Sequence, residues 1–587
     1  MERANTPFPV PVSPEIKTED GLLTIFRIRL RTLSMGFSAS GSVNNETVSQ
    51  ILVSLEGMFK MNFIELIPIV LVLILAFKHF PAFPTLLISG LVAAVIAILH
   101  QGVSISNIMS RYYLVVDLGT GNSRVALVTS EGTILGMRSF SNTYYRDEQY
   151  EDAQYFLPEE WKDKLLRGCV ELCGEHPDIR VSAISSAGAR QSIVLLDRDG
   201  NAFYGLPNID NRGRAYMGEV PDWEEIYRIS GKWVTEDFDA AKLLGLRKVY
   251  PELYRRIGKI TSVSEWIAQI FTGRTVIEPS QACETQLYDI GERKWSEKVC
   301  DCYGFDMEIL PELCPAGTAA GPVLPEYRKL LGLTDDAVFV VGGADTQIAL
   351  RQVKIGVGDI AVVSGTTSPV VTLMKEKFYD PQQRVWTDAN LGGKTYQIEM
   401  NPGVTGLNYQ RICSMLAGDW SYEELEKAYA LKTAFHCTAS FSSLLFYERR
   451  PLRRGGFFMR SPLDAAIDKT DLLWSVLGDI ACSIYEQYSN LRSLTGNHST
   501  YLLGCGGGFQ SRALCQMLSD LTGCQLRLRS GFDQATVQGL TLVCNECLNE
   551  PGPSSAGEWI TYEPRASQLI HRYYPVWLKN RDEANQK

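Results

Sequence analysis

YYLVVDLGTGNSRVALVTSEG, residues Tyr112–Gly132, decides how the chain folds. An apolar run, Tyr112–Val116, ends in Asp117, turns through Gly119-Thr120-Gly121-Asn122-Ser123 and resumes as Arg124–Thr129. β-Branched residues on both sides of a Gly/Asn turn predict a β-hairpin. Its tip gathers a carboxylate, hydroxyls, glycines and an arginine. Glycines let backbone N–H groups approach phosphate oxygens, and Thr120 and Ser123 add donors. Asp117, at the end of a buried strand, has the chemistry to hold Mg2+ through its water shell. An ordinary hairpin with a polar turn is the alternative reading.

Around this hairpin lie 587 residues, enough for two or more domains. A 45% hydrophobic, 21% charged composition is that of a globular protein, and a net charge of −10 argues against nucleic acid as a partner. All 14 cysteines lie at or beyond Cys169, mostly singly in apolar surroundings, as thiols do in a reducing compartment. Cys300-x-Cys302 and Cys544-x-x-Cys547 lack the second pair that a zinc site needs.

The first hundred residues differ from the rest. Residues 1–43 read as disordered, rich in Pro, Thr and Glu at the start. Asn62–Phe77 and Thr85–Leu99 are apolar runs separated by KHFPAFP, which predicts a transmembrane helical hairpin over 62–99. Arg27, Arg29, Arg31 and Lys60 favour a cytoplasmic start, so that two crossings return the bulk of the chain to the cytoplasm. IPIVLVLILAFKHFPAFPTLLISG, within residues 44–108, resembles a fragment of an NhaC-type sodium/proton antiporter. A fusion or misjoined reading frame is the expected explanation, with Met109 a natural start. A membrane anchor on the inner face is the alternative.

From Ser110 onward strands alternate with amphipathic helices, the pattern of an α/β architecture. Trp161–Cys173 reads as a helix, and Val181–Ser186 as a strand leading into Gly188-Ala189-Arg190-Gln191. Ser192–Leu196 is expected to resume the sheet and Asn208–Arg212 to begin a helix. Polar groups at such strand ends are where open α/β sheets bind ligand. A second half is expected to open with Val338–Val341 and Gly342-Gly343-Ala344-Asp345. Asp359–Val363 and Ser364-Gly365-Thr366-Thr367 then echo the first hairpin. Tyr501–Leu503, Gly504-Cys505-Gly506-Gly507-Gly508 and a helix over Ser511–Thr522 give a strand, a glycine cluster and a helix N-terminus. It is neither a Walker A sequence nor GxGxxG.

The ordered set DLGTGNSR, GGAD, SGTT and GCGGGFQS resembles the FGGY family of carbohydrate kinases, of the actin/hexokinase-like ATPase superfamily. The likeness runs from about Tyr112 to Lys579, including Glu448–Pro451 and the YEPRASQLIHRYYPVW tail. It implies two actin/hexokinase-like (ribonuclease H-like) domains around a cleft, over 109–343 and 344–587, with ATP and Mg2+ as cofactors. Carried over by position, Asp117 orients Mg2+, while Gly119, Thr120 and Arg124 contact ATP phosphates. Asp345 matches the general base, Gly365 and Thr366 the second phosphate loop, and Gly507 and Gly508 the adenosine motif. Arg190, Gln191 and Asp210 fall where the family contacts its sugar or polyol.

Three departures bear on the acceptor and the tail. Gln191 stands where family members carry Glu or His, Glu265 where many carry Asp, and Asp533–Gly539 lacks the usual E-A-x-x-x-G-A-A form. The resemblance therefore implies ATP-dependent phosphorylation of a small sugar, polyol or autoinducer-2-like carbohydrate, with a homodimer left open. A catalytically idle sugar sensor of the same fold is the alternative. A membrane transport protein is a third reading, resting on residues 44–102 alone.

Overall fold

The computed structural model describes residues 111–552, 558–566 and 568–585, with the isolated positions Val72, Leu75, Ser89 and Val92, all four helical. The expectations of disorder, of a transmembrane hairpin over 62–99 and of antiporter likeness lie almost wholly outside the described residues. Among those residues, no helix is long and apolar enough to cross a membrane. Cα packing divides the chain into Met1–Ile108 and Met109–Lys587.

The hairpin forms as expected. Tyr112–Leu118 (β1) pairs antiparallel with Asn122–Thr129 (β2), with Asp117 opposite Arg124. Ile134–Ser141 (β3) extends it antiparallel, while Val181–Gly188 (β4) and then Val338–Ala344 (β6) add parallel strands on the other side. Ala319–Pro322 (β5) closes the edge against β6. Helices cover both faces, which is why β1 is apolar on both. Pro158–Glu175 (α1) and Val263–Thr272 (α2) bury Trp161, Leu165, Trp266 and Phe271 on one face. Asp345–Gln352 (α3) and the distant Ala535–Leu548 bury Ile348, Val537, Leu540 and Val543 on the other.

The second sheet repeats the first. Ile360–Val363 (β7) and Val370–Met374 (β8) form its hairpin, continued antiparallel by Tyr396–Met400 (β10) and edged by Trp386–Ala389 (β9). Tyr501–Cys505 (β11) and Gln525–Arg529 (β12) lie parallel on the other side of β7, and Trp559–Tyr562 (β13) pairs antiparallel beyond. Each sheet thus shares a core of three antiparallel strands followed by two parallel ones, six strands in the first sheet and seven in the second with their edges, the duplication at which the hairpin echo hints. Lys469–Thr495 (α4), capped by Asp468 and Asp471, lies in the core of this half with Arg512–Thr522 (α5). Ala535–Leu548 is α6 and Gln568–Asn585 is α7.

Three local expectations are corrected. Ile193–Leu196 does not resume the first sheet but pairs with Ala202–Leu206 and Lys259–Ser262 in a separate three-stranded one. Gln191, at φ 57°, turns the chain away, a conformation that apolar periodicity does not reveal. Asn208–Arg212 is turn, and the helix that follows is the 3-10 segment Arg214–Glu219. Val338–Ala344 belongs to the first sheet and does not open the second half.

Candidate active site

Candidate residues collect where the parallel strands of both sheets end at their carboxyl termini. At the β1–β2 tip, a Cβ on Gly119 would come within 2.9 Å of the Asn122 carbonyl oxygen, so the turn needs glycine there. Asn142 Nδ2 donates to Gly119 O at 2.6 Å and Tyr144 OH to Thr120 O at 2.5 Å. Asn208 Nδ2 donates to Thr120 Oγ1 at 2.8 Å. The tip is held from outside before any ligand arrives, the preorganisation a phosphate cradle requires. Arg124 leaves the tip sideways, and its Nη1 donates to Gln534 Oε1 at 3.3 Å.

Asp117 lies next to last in β1 and Asp345 directly follows β6, and both are half-buried. Burial pushes the Asp117 carboxyl from its ordinary 3.8 up to about 6, with the charge of Asp345 adding to the rise and Arg124 opposing it. Asp345 opens α3, and its Oδ1 accepts from Thr346 N at 2.7 Å. Burial raises its pKa too, against the pull of Arg190. Behind it, Ser280 Oγ accepts from Ala344 N at 3.1 Å and in turn donates to Glu278. Burial pushes Glu278 up to about 8 and the neighbouring Glu265 up to about 7.

Arg190 follows β4 and sits in a buried charge cluster. Its guanidinium makes a two-point pair with Glu399 of β10, Nη1 to Oε2 at 2.7 Å and Nη2 to Oε1 at 2.9 Å. Glu284 Oε1 lies 3.6 Å from Nη1, and Gln191 Nε2 donates to Glu284 Oε2 at 2.9 Å. Lys232, buried beneath the Phe238 and Trp386 rings, pairs with Asp388 at 2.6 Å and Glu284 at 3.3 Å. Lys242 Nζ donates to the Gln191 carbonyl. Asp210 stands one step away and fully buried, taking Gln154 N at 2.9 Å and Arg212 Nε at 2.7 Å.

The two glycine loops of the second half lock together. Ser364 N donates to Cys505 O at 2.8 Å, and Gly508 N donates to Ser364 O at 2.9 Å. Gly506 has φ 98°, and a Cβ there would lie 2.4 Å from Ser364 O. Gly365, Thr366 and Gly507 remain exposed, while Gly508 is half-buried. Gly506 N donates to Phe532 O at 2.8 Å, one turn from the Gln534 that holds Arg124. A run of direct contacts therefore joins the first hairpin to both glycine loops.

Asp117, Arg124, Asp345, Arg190 and Gln191 come together, and Gly365, Thr366, Gly507 and Gly508 share a second cluster. Lys232, Glu284, Asp388 and Glu399 were not foreseen, because they come from separate segments with no motif. Among the described residues no three His, Cys, Asp or Glu side chains converge as a metal centre. Asp117 and Asp345 nonetheless lie within electrostatic reach of one another, the charge of Asp345 adding to the burial that raises the Asp117 pKa. Mg2+ needs only one or two carboxylates when water and phosphates complete its shell, so the residues fit it.

Residues 112–351 match the N-terminal domain of the FGGY family of carbohydrate kinases, and residues 360–545 match its C-terminal domain. "Putative sugar kinase YoaC" of Bacillus subtilis (strain 168) is 38% identical over 467 residues, 79% of this chain and 96% of the relative. An autoinducer-2 kinase of Yersinia enterocolitica serotype O:8 is 24% identical over 490 residues, 77% of this chain and 90% of that protein. Plasmodium falciparum glycerol kinase with ADP shares the fold at a TM-score of 0.71, 18% identity and coverage of 81% of this chain and 99% of that one. With both family domains matched in order along one duplicated fold, the chain belongs to the FGGY family of carbohydrate kinases and is a phosphotransferase.

Proposed function

We propose that the protein transfers the γ-phosphoryl group of Mg-ATP to a hydroxyl of a small sugar, polyol or autoinducer-2-like carbohydrate in the cytoplasm. The observation that carries this reading is the position of Asp345. It lies within electrostatic reach of Asp117 on the nucleotide side and of Arg190 on the acceptor side.

Thr346 N occupies Asp345 Oδ1, which leaves Oδ2 to accept the proton of the attacking hydroxyl. Gln191 orients that hydroxyl, Arg190, held on Glu399, backs the acceptor pocket, and Asp210 holds the pocket wall through Arg212. Gly119, Thr120 and Arg124 on one side and Gly365 and Thr366 on the other cradle the phosphates, while Gly507 and Gly508 receive the adenosine. Asp117 holds the hydrated Mg2+, which when bound offsets negative charge on the phosphates. Positioning and charge stabilisation are most of what phosphoryl transfer asks of a protein. All 14 cysteines are free, which agrees with a reducing compartment.

The test is ADP release by the purified protein with Mg-ATP across pentuloses, polyols and linear dihydroxy-ketones. Turnover with at least one acceptor, dependent on Mg2+, is expected. ATP binding without turnover on any of them would favour the idle sensor.

A further inference from the structure

An arginine at a substrate pocket normally recruits an anionic group, because its planar fork matches a carboxylate. Arg190 has already spent that fork within the protein, on Glu399, and is only 9% exposed. Lys232 is fully buried and answered by Asp388 and Glu284. Lys242, also fully buried, donates to the Gln191 carbonyl and pairs with Asp239 at 3.2 Å. Three cations thus face Glu284, Glu399, Asp388, Asp239 and the base Asp345, and among the described residues none of the three lacks a carboxylate partner. What the cluster offers an acceptor is Gln191, half-buried, whose amide nitrogen is fixed on Glu284, so that the group of its side chain left for a ligand is the amide oxygen, a hydrogen-bond acceptor. Acceptor oxygens suit hydroxyl donors and repel carboxylates.

Glu399 lies in the second sheet and Arg190 just after a strand of the first, so this neutralisation is made across the two halves. Gln397 Nε2 and Asn401 Nδ2, on the same strand and just after it, each donate to Glu399 at 3.2 Å and hold its carboxylate in place. We propose that Glu399, by its two-point pair with Arg190, is a positioning residue that sets the acceptor pocket for uncharged polyhydroxy substrates and against sugar acids. This rests on the kinase reading above and deepens it. Glu399 acts through Arg190, without touching the reacting atoms.

The experiment compares uncharged acceptors (xylulose, ribitol, glycerol) with aldonates of three to six carbons, by ADP release and by calorimetric binding without ATP. The parent should favour its best uncharged acceptor over any aldonate by at least a hundredfold in kcat/KM. Glu399→Gln should raise kcat/KM for an aldonate at least tenfold, chiefly through KM, and lower it for the uncharged acceptor. Adding Arg190→Met to Glu399→Gln should abolish the gain, which a merely structural role for Glu399 would not predict. Should Glu399→Gln fail to fold, the parent's binding preference decides, supported by Glu399→Asp, which keeps the charge and should keep the preference. An aldonate bound or turned over by the parent within tenfold of the best uncharged acceptor overturns the inference while leaving the kinase reading intact. So does a folded Glu399→Gln with an unchanged ratio. Absence of turnover on every acceptor counts against the kinase reading instead, and the binding comparison then still decides the charge preference.

Discussion

Arg124 Nη1 donates to Gln534 Oε1 at 3.3 Å, joining residues 410 positions apart. One belongs to the first hairpin and the other to the 3-10 turn that also supplies the Phe532 carbonyl to Gly506 N. The bond links the hairpin arginine of one half to the glycine loops of the other. It falls in the DQATVQG stretch, where the sequence departs from the usual family form.

Gln534→Ala should therefore loosen Arg124 and the nucleotide side alone. A lost charged hydrogen bond of this length is worth about 1 kcal/mol, so the ATP KM should rise roughly 3–10-fold. The acceptor KM should stay within twofold. Steady-state kinetics with each substrate varied in turn checks this, and a change confined to the acceptor would place Arg124 outside the nucleotide site.

Gly506→Ala tests the lock between the two loops. At φ 98° a side chain is strained, and its Cβ would lie 2.4 Å from Ser364 O, a backbone atom that cannot swing away. A loss of about 2–3 kcal/mol in stability is expected, with at least a tenfold rise in ATP KM. Gly507→Ala has open space at its Cβ and should alter stability by less than about 0.5 kcal/mol. Thermal melts of the two variants side by side give the answer.

The hairpin, the glycine clusters and the duplication were legible in the sequence because each is local. A run of apolar residues ending near Asp117 or at Asp345 shows a strand leading to a carboxylate, although that reading puts Val338–Ala344 in the wrong sheet. Gln191 was legible as a strand-end residue, yet its left-handed φ, which sends Ile193–Leu196 into another sheet, was not. The Lys232, Glu284, Asp388 and Glu399 cluster stayed hidden for a different reason. Each is a single charge in an apolar stretch, and only tertiary packing shows that the four answer one another. The return of α6 to cover the first sheet is equally non-local, since its apolar face fits either half.

The Asp117 carboxyl makes a pH prediction. Its pKa is about 6 in the folded protein against an ordinary 3.8, so the fold binds its proton more tightly than the unfolded chain does. For this group, stability falls as pH rises from about 4 through 6. Asp117→Asn removes the ionised form and should melt higher than the parent at pH 7.5 without Mg2+, with the difference closing near pH 4. The difference between variants is the readout, because Glu265, Glu278, Asp239 and Asp388 also titrate above their ordinary range. Parent activity should fall below about pH 6, and rising Mg2+ should shift that limb to lower pH, since the cation favours the carboxylate. A limb indifferent to Mg2+ would remove Asp117 from the metal site.

Residues Met109–Lys587 pack as one unit and contain both matched family domains. A fragment beginning at Met109 should fold and keep the full kcat and both KM values of the whole chain. Circular dichroism and the ADP-release assay on both proteins check it. Loss of folding in the fragment would show that the preceding residues support the kinase fold.

Asp345 carries the enzyme reading. It opens α3 directly after β6, where a carboxylate is directed out of the core, and its Oδ1 is fixed by Thr346 N. Asn at this position preserves shape and the Thr346 contact but cannot take a proton from the acceptor. Asp345→Asn should lower kcat by roughly 10²–10⁴-fold, the range for losing a general base. On the proposed reading Asp117, Arg124 and the glycine loops carry the nucleotide, so ATP affinity should change little. Burial is the main cause of the raised Asp117 pKa, and neutralising Asp345 removes the charge that adds to it, so the Mg2+-free acid limb of nucleotide binding should move slightly to lower pH in the variant. An idle sensor has no turnover to lose, and would show only that second effect. Measuring ADP release and nucleotide binding on parent and variant across pH separates the cases, and a variant that matches the parent's kcat would place the base elsewhere.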